Sequence, residues 1–78
     1  MAALELFGTA RCPHTQEMRE WLELRHRDFV EYDVETNPQA LRRMRELAPG
    51  QRNVPLLVED GRVVQVGWQG RSCVVEVD

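Results

Sequence analysis

The sequence contains no lysine. Its ten basic residues are all arginine, set against thirteen acidic ones for a formal charge of −3. No cationic run is present, so a nucleic-acid partner is not expected. The densest basic group, Arg42, Arg43 and Arg45, lies in a helical pattern beside Glu46 and reads as a solvated face. No apolar stretch approaches the length needed to span a bilayer, so no membrane partner is expected. The opening "MAALELFG" lacks the basic flank and long apolar core of a secretion signal and reads as a strand. Cysteine is scarce. Cys12 and Cys73 are far apart and do not form a disulfide scaffold. With His14 and His26 they offer no paired ligand spacing, so no metal is expected. A cytoplasmic protein with reduced thiols is the simplest reading. Repeats, linkers and low-complexity segments are absent, and 78 residues make one domain, 1–78, with a modest core.

What is present is a regular succession of patterns. "ALELF" (3–7) alternates apolar positions and closes on Gly8, as a strand does. Pro13 suits the first position of a helix, because the N–H it lacks would be unpaired there. Met18, Trp21, Leu22 and Arg25 recur at helical spacing, and the pattern predicts a helix from Pro13 to about Arg27. "DFVEYDV" (28–34) predicts a second strand. Asn37-Pro38 reads as a cap and first-turn proline before the stripe Leu41, Met44, Leu47 and Ala48, which Pro49-Gly50 ends. "VPLLVED" and "RVVQVGW" flank Gly61 as a hairpin. The order is β-α-β-α-β-β. A helix between the first two strands makes them parallel, the hairpin is antiparallel, and a four-stranded mixed sheet covered by helices results. The tail "QGRSCVVEVD" is too short for a third helix and its connection, and suits a short strand or an irregular cover reaching Val74–Val77.

The chemistry concentrates at Cys12. The thiolate is the nucleophilic form of cysteine, and a helix N-terminus lowers the pKa of a thiol placed there. Arg11 adds a neighbouring cation, His14 can add another, and the Thr15 hydroxyl can donate a hydrogen bond to the sulfur. Cysteine is a poor N-cap compared with Ser, Thr, Asp or Asn, so capping alone does not account for it. Cys12 therefore reads as a reactive residue.

Pro55 opens a strand, where it forfeits a ladder hydrogen bond. Two readings stand. A cis Val54–Pro55 bond would leave the Val54 N–H and C=O free for an extended, peptide-like ligand. A trans proline entering an edge strand is the commoner geometry.

Cys-Pro opening a helix, Gly-Gln-Arg-x-Val-Pro before a hairpin and a glycine after it together resemble a glutaredoxin, over about Leu4 to Gly70. The resemblance looks closest to a small branch described as Uxx-star glutaredoxin-like (seleno)proteins, in which selenocysteine occupies the position of Cys12 in some members. It implies a thioredoxin-like α/β fold whose last helix is short or missing. It also implies that Cys12 is the nucleophile and that Val54, beside a cis Pro55, makes backbone contacts with a thiol ligand. Gln51 and Arg52 match a pair that contacts a ligand carboxylate, consistent with arginine's affinity for carboxylates. Arg11, Pro13, His14, Gly67 and Trp68 occupy positions around the same groove.

The departures narrow the mechanism. Thr15 stands where dithiol members carry a second cysteine, so no disulfide can close within the motif. Trp68 and Gln69 replace a polar pair that binds one end of glutathione in the family. The reading is a thiol–disulfide oxidoreductase of monothiol type. Cys12 attacks protein or small-molecule disulfides, and glutathione or another low-molecular-weight thiol is the co-substrate. Cys73 admits two readings: it could resolve adducts on Cys12, or pack as a small hydrophobe beside Val74, and the sequence favours the second. Trp21 reads as core, and Trp68 as either a core cap or a ligand platform. The short tail leaves apolar sheet surface to be covered by itself, a partner or a second copy of the chain. The alternatives to an enzyme are a module binding an iron–sulfur cluster and a non-catalytic module presenting the groove to a protein.

Overall fold

A computed structural model describes residues 3–75. Its elements are β1 (Leu4–Gly8), α1 (Pro13–Leu24), β2 (Phe29–Asp33), α2 (Pro38–Leu47), β3 (Asn53–Val54), β4 (Leu56–Glu59), β5 (Arg62–Val66) and β6 (Cys73–Val74). The main sheet has the order β2-β1-β4-β5. β1 runs parallel to β2 with Gly8 opposite Asp33, and antiparallel to β4 with Leu6 opposite Leu57. The hairpin β4–β5 is antiparallel, with an irregularity at Leu57/Val58. β1 is flanked on both edges, and all five of its residues are buried.

The period of two along the strands divides the core into two layers. Leu4, Leu6 and Leu57 meet Met18 and Leu22 of α1 on one face, with Trp21, Phe29 and Trp68 at the margin. Phe7, Leu56 and Val58 meet Ala40 and Met44 of α2 on the other, together with Cys12, Val34, Val54 and Val75. Phe7 also stacks on Tyr32 with ring centroids 4.8 Å apart.

Both helices begin where the sequence places them. Pro13 is the first residue of α1, and Cys12 is its N-cap in extended conformation, without a side-chain capping bond. Asn37 caps α2 by accepting from the Gln39 and Ala40 N–H groups at 3.0 and 3.3 Å. α1 stops at Leu24, short of the predicted Arg27, because His26 takes a left-handed conformation (φ 56°) that ends the helical path.

The tail takes the first of the two forms open to it, a short strand, which starts one residue earlier than Val74. No third helix occurs among the described residues. Gly67, with φ 82°, donates to the Pro55 carbonyl at 2.7 Å and turns the chain off the end of β5. A side chain at this glycine would bring Cβ to 2.8 Å from the Arg71 carbonyl, so the turn requires its absence. Trp68 and Arg71 then exchange backbone hydrogen bonds, and β6 pairs antiparallel with β3 as a second, two-stranded sheet. Val75 is fully buried in the α2 core layer, and its N–H donates to the Arg52 carbonyl at 2.8 Å. Trp68 folds back onto Trp21, with centroids 5.6 Å apart, over the α1 layer. The tail thus covers part of both faces. Val77 lies outside the described residues. On the outer strand β5, Val63, Val64 and Val66 stay exposed.

Candidate active site

The N-terminus of α1, the C-terminal ends of β1 and β2, and the β3–β6 pair converge on Cys12. The residue is 2 % exposed, and its sulfur is bonded to Cys73, with Cα atoms 6.0 Å apart across 61 positions of chain. That spacing lies within the range a disulfide spans without backbone movement. Of the two readings of Cys73, packing alone is therefore overturned: it is the covalent partner of Cys12. The reason is tertiary, since β6 needs β3 as a template before Cys73 comes within reach.

β3 and β6 hold this geometry. Val54 faces Cys73 and Asn53 faces Val74 in the antiparallel register. The Val54–Pro55 bond is cis, so the cis reading of Pro55 is the one the fold adopts. Both residues are buried, and the Val54 carbonyl oxygen lies 4.0 Å from Cys12 Sγ. The backbone edge of Val54, expected to be free for an extended ligand, is filled by the protein's own tail.

A cleft of about 190 Å³ opens beside the disulfide, lined by Thr9, Arg11, Cys12, Glu35, Cys73 and Val74. Arg11 Nε donates to Glu35 Oε1 at 3.2 Å, and a second guanidinium nitrogen donates to Oε2. The Glu35 carboxylate holds the Arg11 guanidinium still more firmly in its charged form. Thr9, Glu35 and Val74 were not marked by the sequence motif. The signal that locates Glu35 is the parallel register. With Gly8 opposite Asp33, the loops leaving β1 and β2 emerge side by side, where sites in α/β sheets collect.

The other motif residues are distributed around this centre. Pro13 is exposed at the first turn of α1. One ring nitrogen of His14 lies 3.2 Å from Glu17. Thr15 is fully buried, its hydroxyl has no hydrogen-bond partner among the described residues, and it packs directly against Gly8. Gln51 turns its side chain inward to accept from the backbone and side-chain N–H groups of Asn53. With Arg52 it lines a separate cavity of about 280 Å³, whose walls include Leu41, Met44 and Val75. Gly67 and Trp68 lie at the start of the tail, bound to Pro55 and packed on Trp21. Cys12, Cys73, Val54 and Arg11 thus meet at one centre, and Gln51 and Arg52 form a second. Among the described residues no group of three or more His, Cys, Asp or Glu is arranged to hold a metal ion.

Comparison with solved structures places this arrangement among thioredoxin-like proteins. A mutant of the thioredoxin-like protein BC3987 is 27 % identical with a TM-score of 0.74, covering 85 % of this chain and 82 % of its own. The glutaredoxin grx-1 of Archaeoglobus fulgidus is 22 % identical with a TM-score of 0.70, covering 88 % and 78 %. Glutaredoxin 1 of Francisella tularensis, solved with cacodylate, is 16 % identical with a TM-score of 0.64, covering 87 % and 85 %. These last two speak to the fold alone. No curated protein matches the chain. The glutaredoxin family model matches residues 4–64, a span that runs from β1 into β5 and contains Cys12, Gln51, Val54 and Pro55, and the chain belongs to the glutaredoxin family.

Proposed function

We propose that the protein is a thiol–disulfide oxidoreductase that cycles between a Cys12/Cys73 dithiol and the Cys12–Cys73 disulfide. The observation that carries this reading is the covalent pairing of a helix-start cysteine with the strand that lies on Val54. In the reduced protein, the Cys12 thiolate attacks one sulfur of a substrate disulfide. A Cys12–substrate mixed disulfide forms, and the other substrate sulfur leaves as a thiolate and takes up a proton. Cys73, as thiolate, attacks Cys12 Sγ, and the substrate's remaining sulfur departs. The substrate is reduced by two electrons and the protein oxidised by two. Two equivalents of a low-molecular-weight thiol such as glutathione restore the dithiol and leave as their own disulfide.

The sequence pointed to a monothiol route through Cys12 alone, and that route remains the first half of this cycle. Cys73 supplies a second half that a free thiol would otherwise perform. The pairing favours Cys73, because a tethered sulfur on β6 competes at a high local concentration. The α1 N-terminus supports the thiolate form of Cys12. The Arg52 cavity suits the carboxylate of a peptide thiol.

The test is to treat reduced protein with a small symmetrical disulfide and follow the products by mass. Wild type should end as the internal disulfide, Cys73→Ser should accumulate a mixed disulfide on Cys12, and Cys12→Ser should form neither. A Cys12 thiol that titrates near the free value of about 8.5 and exchanges no faster than an ordinary cysteine would sink the reading.

A further inference from the structure

The proposed cycle needs a place for the substrate, and the edge of β3 beside Cys12 is already occupied. We infer that β6 is a built-in stand-in for the substrate. The β3 edge would accept an extended, cysteine-bearing protein segment only after reduction releases β6, and the return of β6 would then expel that segment. The inference rests on the redox reading of Cys12 and Cys73, with a ligand strand on Val54, and adds a gate to it.

Three observations carry it. First, β6 lies on β3 as an added strand, with Cys73 opposite Val54 and Val74 opposite Asn53. The Arg52–Val75 pair in the same register is hydrogen-bonded through the Val75 N–H at 2.8 Å. Alternation along an antiparallel ladder makes Val54–Cys73 the next pair of that kind. A cysteine on a strand paired with Val54 is thus the geometry in which a sulfur reaches Cys12. Second, the latch is small. β6 is two residues long, and among the described residues its inward anchor beyond the disulfide is Val75, since Val74 is exposed. A short strand with one buried anchor exchanges with a competitor far more readily than a long one. Third, the segment has a turn at its base. Gly67 and Gly70 both take positive φ, and the Trp68–Arg71 bonds close the turn on itself, so β6 can leave while Trp68 stays packed on Trp21.

Strand exchange and disulfide exchange then become one movement. A substrate segment lies on β3 with its sulfur joined to Cys12. β6 re-pairs with β3, displaces the segment and brings the Cys73 thiolate to Cys12 Sγ. The Cys12–substrate bond breaks as the Cys12–Cys73 bond forms, and the substrate thiolate leaves with the strand that carried it. A segment with a small β-branched residue after its cysteine, as Val74 follows Cys73, fits this edge.

Two measurements on the full chain test the gate and the partner. Amide hydrogen exchange at Val75 should be slow in the oxidised protein, and reduction should speed it at least about tenfold more than it speeds the core amide of Leu6 on β1, because the ladder bond then opens locally. Equal acceleration at the two positions, or none at Val75, would overturn the gate. For the partner, reduced Cys73→Ser protein is loaded with glutathione on Cys12. It is then equilibrated with the peptide Gly-Arg-Ser-Cys-Val-Val or with the same peptide N-methylated at its cysteine amide. Loss of one backbone bond to Val54 should lower the exchange constant about five- to tenfold for the methylated peptide. Equal constants would overturn strand addition. If Cys12 accepts glutathione no faster than an ordinary cysteine, the redox reading itself has failed, a result separate from either of these.

Discussion

Val54 faces Cys73 across the β3–β6 pair, and this one register position delivers the second sulfur to Cys12. A shift of β6 by one residue would turn the Cys73 side chain to the opposite face, since side chains alternate along a strand. The pairing also fixes Val75 in the core, so redox state and tail packing are linked.

Reduction should therefore cost stability as well as covalency. The disulfide closes a loop spanning 61 positions. Chain-entropy reasoning assigns such a cross-link about 4 kcal/mol, with strain and residual structure lowering the observed value. For a domain of this size, we expect Tm to fall by more than about 10 °C on reduction. Calorimetry of oxidised protein, reduced protein and Cys73→Ser checks this, and the last two should agree within a few degrees.

Gly8→Ala should be among the most damaging single changes. The new Cβ would lie 2.5 Å from Thr15 Oγ1 and 2.9 Å from its Cβ, closer than packed atoms allow. Thr15 is fully buried on α1 and has no room to retreat. The expected loss is about 1–3 kcal/mol or more, as for other overpacked cores. Denaturant unfolding measures it, and the Gly8→Ala/Thr15→Ala pair should recover part of the loss.

Glu5 should make stability fall in acid. Its carboxylate is buried on β1 and accepts two hydrogen bonds from Arg43 of α2, one of them at 2.9 Å. The Arg43 hydrogen bonds hold Glu5 below the usual carboxylate range, against the opposing effect of burial. A lowered folded-state pKa gives stability that is fully present above the unfolded value. It is lost as pH falls through the folded one, so the window opens below about pH 4.3. Glu5→Gln should cost about 1.5–3 kcal/mol at neutral pH and less toward pH 3, where wild type has lost the same contribution. Unfolding curves against pH for the two proteins provide the check.

Trp68→Ala should uncover the α1 face. Trp68 is half-buried against Trp21, which also carries the Arg25 guanidinium over its ring at 4.7 Å. The aromatic pair contributes about 0.5–1.5 kcal/mol beyond area burial, so a loss of about 2 kcal/mol is expected. Thiol exchange at Cys12 should stay within about twofold, because Trp68 lines neither the disulfide cleft nor the Arg52 cavity. A large loss of exchange with unchanged stability would instead make Trp68 a ligand platform.

Local physics was written plainly in the chain. Pro13 and Asn37-Pro38 start helices because the groups they lack or supply concern only the first turn. Alternation marked β1 and β2, the Glu-Asp-Gly turn marked the hairpin β4–β5, and the β-α-β-α-β-β order fixed which pairs run parallel. Cys12 stood out because helix-start chemistry is also local. The features that remained open were those requiring two distant segments to meet. Where Cys73 goes depends on the tail lying on β3, 19 or more positions away in the sequence, and which loops frame the site depends on the register of β1 with β2. No periodicity records that contact, because β6 is two residues long and its pairing is stabilised by Val75 burial and the Cys12 bond. The sequence alone determined the reactive position and the elements that carry it. The tertiary structure decided that this position has a partner sulfur, because non-local backbone pairing is what brings Cys73 to it.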